Sequence, residues 1–88
     1  MNLVSKSVIK WNSLGDMNNE SIVQSRQEKL QEMIDAQKTD GVVTKDETDV
    51  TGTINFIDNA SAQEWITFLT SLAENNGAKI ISSKILPV

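Results

Sequence analysis

Val50-Thr51-Gly52-Thr53-Ile54-Asn55-Phe56-Ile57 reads as a β-strand. Val50, Gly52, Ile54 and Phe56 fall on one side, and Thr51, Thr53, Asn55 and Ile57 on the other, the period of an extended chain. Asp46-Glu47-Thr48-Asp49 before it supplies a turn. Val42-Val43-Thr44-Lys45 supplies a short strand, so the two strands form a hairpin.

Downstream, Asp58-Asn59-Ala60-Ser61 opens a helix. Ser61 and Glu64 match a capping box, and Asn59 is an equally good cap. Ala62, Trp65, Ile66, Leu69, Leu72 and Ala73 form a wide apolar stripe at helical spacing, extended to one side by Phe68. Asn75-Asn76-Gly77 ends the helix. Ala78 to Leu86 is a strand, with Ile81, Ser83 and Ile85 on one face and Ile80, Ser82, Lys84 and Leu86 on the other; Pro87 stops it.

Upstream, residues 2–11 read as a strand, with Val4, Lys6, Val8 and Lys10 opposite Leu3, Ser5, Ser7, Ile9 and Trp11. Turn formers from Asn12 to Asp16 end it. Asn18 or Asn19 caps the next helix, with Glu20 in its first turn. Val23, Leu30, Met33, Ile34 and Gln37 follow a spacing near 3.6, against a wet side of Gln24, Gln27, Glu28, Gln31, Glu32 and Asp35. Lys38 falls in the last turn, and Gly41 is the natural stop.

The order is therefore β-α-β-β-α-β. With right-handed crossovers it predicts an α+β domain over residues 1–88: a ferredoxin-like plait, with a four-stranded antiparallel sheet and both helices on one face. The third and last strands carry Ile or Phe on both sides, which predicts an apolar open face and a contact surface. The alternative is the scatter of exposed apolar residues found on any protein.

Composition narrows the function. The chain has 88 residues, a net charge of -4 and a pI near 4.6, which disfavours sequence-independent binding to phosphate backbones. There is no His, Cys or Tyr. That removes the commonest general base, the thiol nucleophile, the Ser-His-Asp arrangement and any conventional zinc, haem or iron–sulfur site. No apolar run approaches a membrane span, and Met1 to Lys6 is unlike a signal peptide, so the cytoplasm is the expected compartment. Asn, Ile and Lys outnumber Gly, Ala, Arg and Pro by 24 to 11, the usage of an AT-rich genome such as that of many phages.

Individual candidates each have a plain reading beside the functional one. Asp46, Glu47 and Asp49 offer oxygens to Ca²⁺ or Mg²⁺ but lack EF-hand spacing, and a solvated hairpin tip accounts for them. Asp35 or Glu64 is a carboxylate base only if buried in a pocket. Arg26 interrupts the apolar face of the first helix, where its head reaches an acid or a ligand. Gly15 between strand and helix permits close approach, without any G-x-G-x-x-G or P-loop. Trp11 and Trp65 are packing groups, and Trp11 with Phe56 is too little aromatic surface for an RNA-binding sheet.

Thr53-Ile54-Asn55-Phe56-Ile57-Asp58, Ser61-Ala62-Gln63-Glu64-Trp65 and Ser82-Ser83-Lys84-Ile85 resemble the second half of small dimeric α/β-barrel proteins. The resemblance implies sheet-to-sheet dimers and, in some members, a cleft between sheet and helices. The loop from Asn12 to Asp16 resembles regulatory domains of the ACT type, without their Pro-Gly pattern. Neither resemblance carries a residue role over to this chain. The expected function is a non-catalytic, self-associating interaction or regulatory module, a homodimer through its open sheet face. It needs no cofactor, metal, nucleic acid or membrane. The alternative is a small cofactor-free enzyme or small-molecule-binding protein of the dimeric barrel type.

Overall fold

The computed structural model describes residues 2–12, 20–45 and 50–88. The expected caps Asn18 and Asn19, the Gly15 turn and the acidic group Asp46, Glu47 and Asp49 lie outside these residues. The elements are β1 (Ser5–Trp11), α1 (Glu20–Asp35), β2 (Thr44–Lys45), β3 (Thr51–Phe56), α2 (Asn59–Asn75) and β4 (Ile80–Pro87). They form an α+β fold with one four-stranded antiparallel sheet in the order β2-β3-β1-β4.

β1 sits between β3 and β4, pairing Ser5 to Lys10 with Phe56 to Thr51 and Ser5 to Lys10 with Pro87 to Ser82. Its alternation sorts the molecule. Ser5, Ser7, Ile9 and Trp11 are buried, and they share a core with Ile54 and Phe56 of β3, Ile22 and Met33 of α1, and Ala62, Trp65, Ile66, Leu69 and Ala73 of α2. Val50, Gly52, Ile54 and Phe56 thus face the helices, and the apolar stripe read along α2 is its packing face. Gly52 suits its neighbour, because a Cβ there would lie 3.1 Å from the Trp11 ring, a tight contact.

Several boundaries differ from the sequence reading for physical reasons. The register between β1 and β4 shifts after Lys10, so Trp11 pairs with Ile80 and Ile81 becomes the extra residue of a bulge. Ile80 and Ile85 therefore both pack on the core, although simple alternation places them on opposite faces. Ile81 is left 55% exposed. Pro87 is the last residue of β4 rather than its stop, which an edge strand tolerates because the missing N–H faces no partner. β2 is only Thr44–Lys45, with Val42 and Val43 outside it. α1 buries Ile22, which the period drawn through Val23 overlooks.

Both helices end in the same hydrogen-bond pattern. After α1, Gln37 N–H donates to the Ile34 carbonyl and Lys38 N–H to the Met33 carbonyl, each at 2.9 Å. After α2, Gly77 N–H donates to Glu74 at 3.3 Å and Ala78 N–H to Ala73 at 2.9 Å. This is the Schellman arrangement, which needs a left-handed residue at its corner. Gly77 fills that position at φ 76°, but at α1 the residue is Gln37 at φ 60°, not the expected Gly41. The cap of α2 is likewise neither Ser61 nor Asn59. Asp58 takes the role, its carboxylate accepting from Ser61 N–H at 2.7 Å. That hydrogen bond holds the Asp58 carboxyl below its ordinary value.

Leu69→Ala removes a side chain from the centre of this core and should cost about 2–4 kcal/mol in a chemical denaturation experiment. Gln37→Gly relieves a left-handed side-chain residue and should raise stability by about 0.5–1 kcal/mol, read as a higher denaturation midpoint at unchanged slope.

Candidate functional site

Two surfaces have the geometry to bind something. The first is a cleft between the helices and the sheet, with a volume of about 270 Å³. β1 contributes Ile9 and Trp11, β3 contributes Gly52 and Ile54, and α2 contributes Trp65 and Leu69. α1 closes it with Arg26, Gln27 and Leu30, and Val43 and Lys45 complete the rim from β2 and its approach. The buried part is apolar, and the polar side chains stand at the mouth.

The second surface is the sheet face away from the helices. Lys6, Val8 and Lys10 of β1, Thr51, Thr53 and Asn55 of β3, and Ser82, Lys84 and Leu86 of β4 alternate onto it. A broad concavity there is bounded by Lys6, Asp40, Val42, Thr44, Lys84 and Leu86. Because the bulge turns Ile80 and Ile85 inward together, this face is less apolar than the strand pattern predicts. Its aliphatic groups are Val8 in the middle and Val4, Val42, Leu86 and Val88 around the margin, with three lysines among them.

The sequence candidates distribute unevenly over these surfaces. Arg26, Trp11 and Trp65 meet at the cleft. Trp11 and Phe56 are both buried towards the helices, so neither aromatic reaches the open face for base stacking. Asp35 is exposed and accepts from the Gln31 side chain at 2.9 Å, one turn away on α1. Glu64 lines neither surface. Its carboxylate takes Lys38 at 2.8 Å and Lys29 at 2.9 Å, and Lys29 also lies 5.6 Å from the centre of the Phe68 ring. The hydrogen bonds from Lys38 and Lys29 hold the Glu64 carboxyl below its ordinary 4.5, and the bond to Glu64 holds Lys29 above its ordinary 10.5. Such a carboxylate is a poor proton acceptor; it ties α1 to α2. Lys45 and Gly52, which the sequence reading did not single out, belong to the cleft. Their only signal is the hairpin register, which pairs them.

Among the described residues, no group of three His, Cys, Asp or Glu side chains could hold a metal ion, and no helix is long and apolar enough to cross a membrane. No family model, curated protein or solved structure matches the chain.

Glu64 is ionised in the folded state to a lower pH than in the unfolded chain. Its contribution is therefore fully present above 4.5 and disappears as pH falls through the depressed folded value. Lys29 acts in the opposite sense, losing its contribution only as pH rises through its raised value, above 10.5. The groups are partly exposed, so Glu64→Gln should cost only about 0.5–1 kcal/mol at neutral pH. The difference from the unmodified protein should shrink in high salt and vanish in acid, as measured by urea denaturation across pH.

Proposed function

We propose that the protein is a non-catalytic, cytoplasmic, self-associating interaction module, and that its domain is a ferredoxin-like plait. The succession β-α-β-β-α-β and the neighbour order β2-β3-β1-β4 support the plait. The observation that carries self-association is the aliphatic margin of the open face: Val4, Val42, Leu86 and Val88 are 47%, 62%, 38% and 62% exposed. The occupant we assign to this face is a second copy of the chain. Asp40 and Lys84 border the same concavity, one beside β2 and the other on β4, so stacking two copies face to face with β2 of one over β4 of the other sets the acid of each towards the lysines of the other.

The area sets the strength. Four strands about 4.8 Å apart, of 7, 2, 6 and 8 residues at about 3.3 Å per residue, give a flat footprint of roughly 360 Å². A standard interface needs roughly 800 Å² per partner, so side-chain relief and the aliphatic margins must supply the rest. A footprint below the standard size points to weak association. A small-molecule-binding role is favoured by a separate observation, the cleft beneath α1.

Sedimentation equilibrium over micromolar concentrations should show the mass rising from 9.7 kDa towards twice that value. Asp40→Lys and Lys84→Asp should each weaken association, and the double exchange should restore it. Leu86→Glu should abolish it without unfolding the chain. A folded monomer at every concentration, or a dimer indifferent to Leu86→Glu, would overturn the assignment.

A further inference from the structure

The cleft has a chemistry of its own. Its buried wall is Ile9, Ile54, Leu69 and the two indoles of Trp11 and Trp65. Every charged side chain at its rim is cationic: Arg26 from α1 and Lys45 from β2, with the amide of Gln27 beside them. No acid lines it among the described residues. Arg26 and Lys45 also have interactions within the protein. A guanidinium with five N–H donors and an ammonium with three can serve a further acceptor without giving those up.

Two features suggest the shape of the occupant. A cavity of about 150 Å³ takes benzene, so the 270 Å³ here suits a body of roughly ten non-hydrogen atoms. Gly52 lets the Trp11 ring lie directly against β3, where a Cβ would stand 3.1 Å from the ring, and this flat indole forms one wall of the slot. An apolar slot with a polar mouth of one sign selects a molecule with an apolar body and a single anionic end. The planar fork of Arg26 matches a carboxylate in geometry as well as charge.

We propose that this cleft binds an apolar monocarboxylate of roughly ten non-hydrogen atoms, its carboxylate at Arg26 and Lys45 and its body between Trp11 and Trp65. The proposal rests on the small-molecule reading above and is independent of self-association.

Trp11 and Trp65 are the only tryptophans, so intrinsic fluorescence reports on the cleft directly. Three probes of one shape separate the alternatives: octanoate, octan-1-ol and octylammonium, each titrated into the full chain below its micellar range. Octanoate should give a saturable change at a concentration roughly tenfold or more below octan-1-ol, the factor expected of charge-assisted hydrogen bonds. Octylammonium should bind weakest. In Arg26→Gln, Lys45→Gln the octanoate affinity should fall to that of octan-1-ol, which should itself be unchanged. Leu30→Phe, which fills the slot, should weaken octanoate and octan-1-ol alike.

Nuclear magnetic resonance of the unmodified protein keeps the test independent of any variant's folding. Octanoate should shift both indole N–H signals and the Ile9, Ile54 and Leu69 methyls together. Equal affinity for the three probes would sink the carboxylate assignment and leave a binding cleft. No saturable response to any of them, or shifts confined to the open sheet face, would remove the small-molecule reading altogether.

Discussion

β1 is paired on both edges, and its side-chain alternation is the constraint from which the rest of the molecule follows. Its inward residues run from small to large: Ser5, Ser7, Ile9, Trp11. At the small end α2 comes close, and Ser5 donates to the Asn59 side chain at 2.5 Å in the first turn of that helix. Ser61 and Ala62, equally small and buried, lie in the next residues of the same turn. At the large end Trp11 meets Trp65, Ile54 and Leu69 around the cleft. A strand graded in this way holds the helical layer as a wedge, tight over the serines and parted at the tryptophan. The tight end has a cost, because the buried Ser7 hydroxyl has no hydrogen-bond partner.

What could be read in the sequence was what neighbouring residues dictate. β3 and α2 are visible because their periods of two and 3.6 are carried by large residues with few interruptions. The side of β3 that faces the helices was not settled by the strand itself, which carries Ile54 and Phe56 on one side and Ile57 on the other; packing against β1 and α2 decides it. The bulge at Ile81 was not, because it arises from the pairing of β4 with a strand some seventy residues earlier, and Lys79-Ile80-Ile81-Ser82 has no glycine to mark it. The corner at Gln37 was hidden for a related reason. Glycine is the usual residue there, and Gly41 four positions on offered a better local match than the residue that tertiary packing forces into the left-handed region. Asp58 was overlooked as the cap because three further cap-forming or capping-box residues follow within six positions. Only the direction of the chain leaving β3 selects among them.

The cleft shows the same division. Arg26 stood out because a cation interrupted an apolar helical stripe, a purely local anomaly. Its companions did not stand out. Lys45 looked like the end of an exposed strand, Gly52 like a weak point in a good one, and Trp11 and Trp65 like ordinary packing. Each has an innocent meaning alone, and a slot exists only because five elements bring them and Arg26 around one cavity. Glu64 is the converse case. It looked like a candidate base, and the fold spends it on Lys29 of α1 and on Lys38 just beyond the end of that helix.

Charge carries the argument one step further. A pI near 4.6 describes an average over the surface and not the charge at any one place on it. Among the described acids, Glu28, Glu32 and Asp35 lie on the outer side of α1, Glu64 is taken up between the helices, and Asp40 borders the open sheet face. Cations gather at two places, Lys6, Lys10 and Lys84 on the open sheet face and Arg26 and Lys45 at the cleft. At physiological ionic strength charges farther apart than about 8 Å are largely screened from one another. A ligand at either surface therefore responds first to the charges beside it, the lysines and Asp40 on the open face and Arg26 and Lys45 at the cleft. Net charge disfavours a polyanion long enough to sample the whole surface. It says nothing against a small anion that reaches the rim of the cleft, because among the described residues the charged side chains that line it are positive.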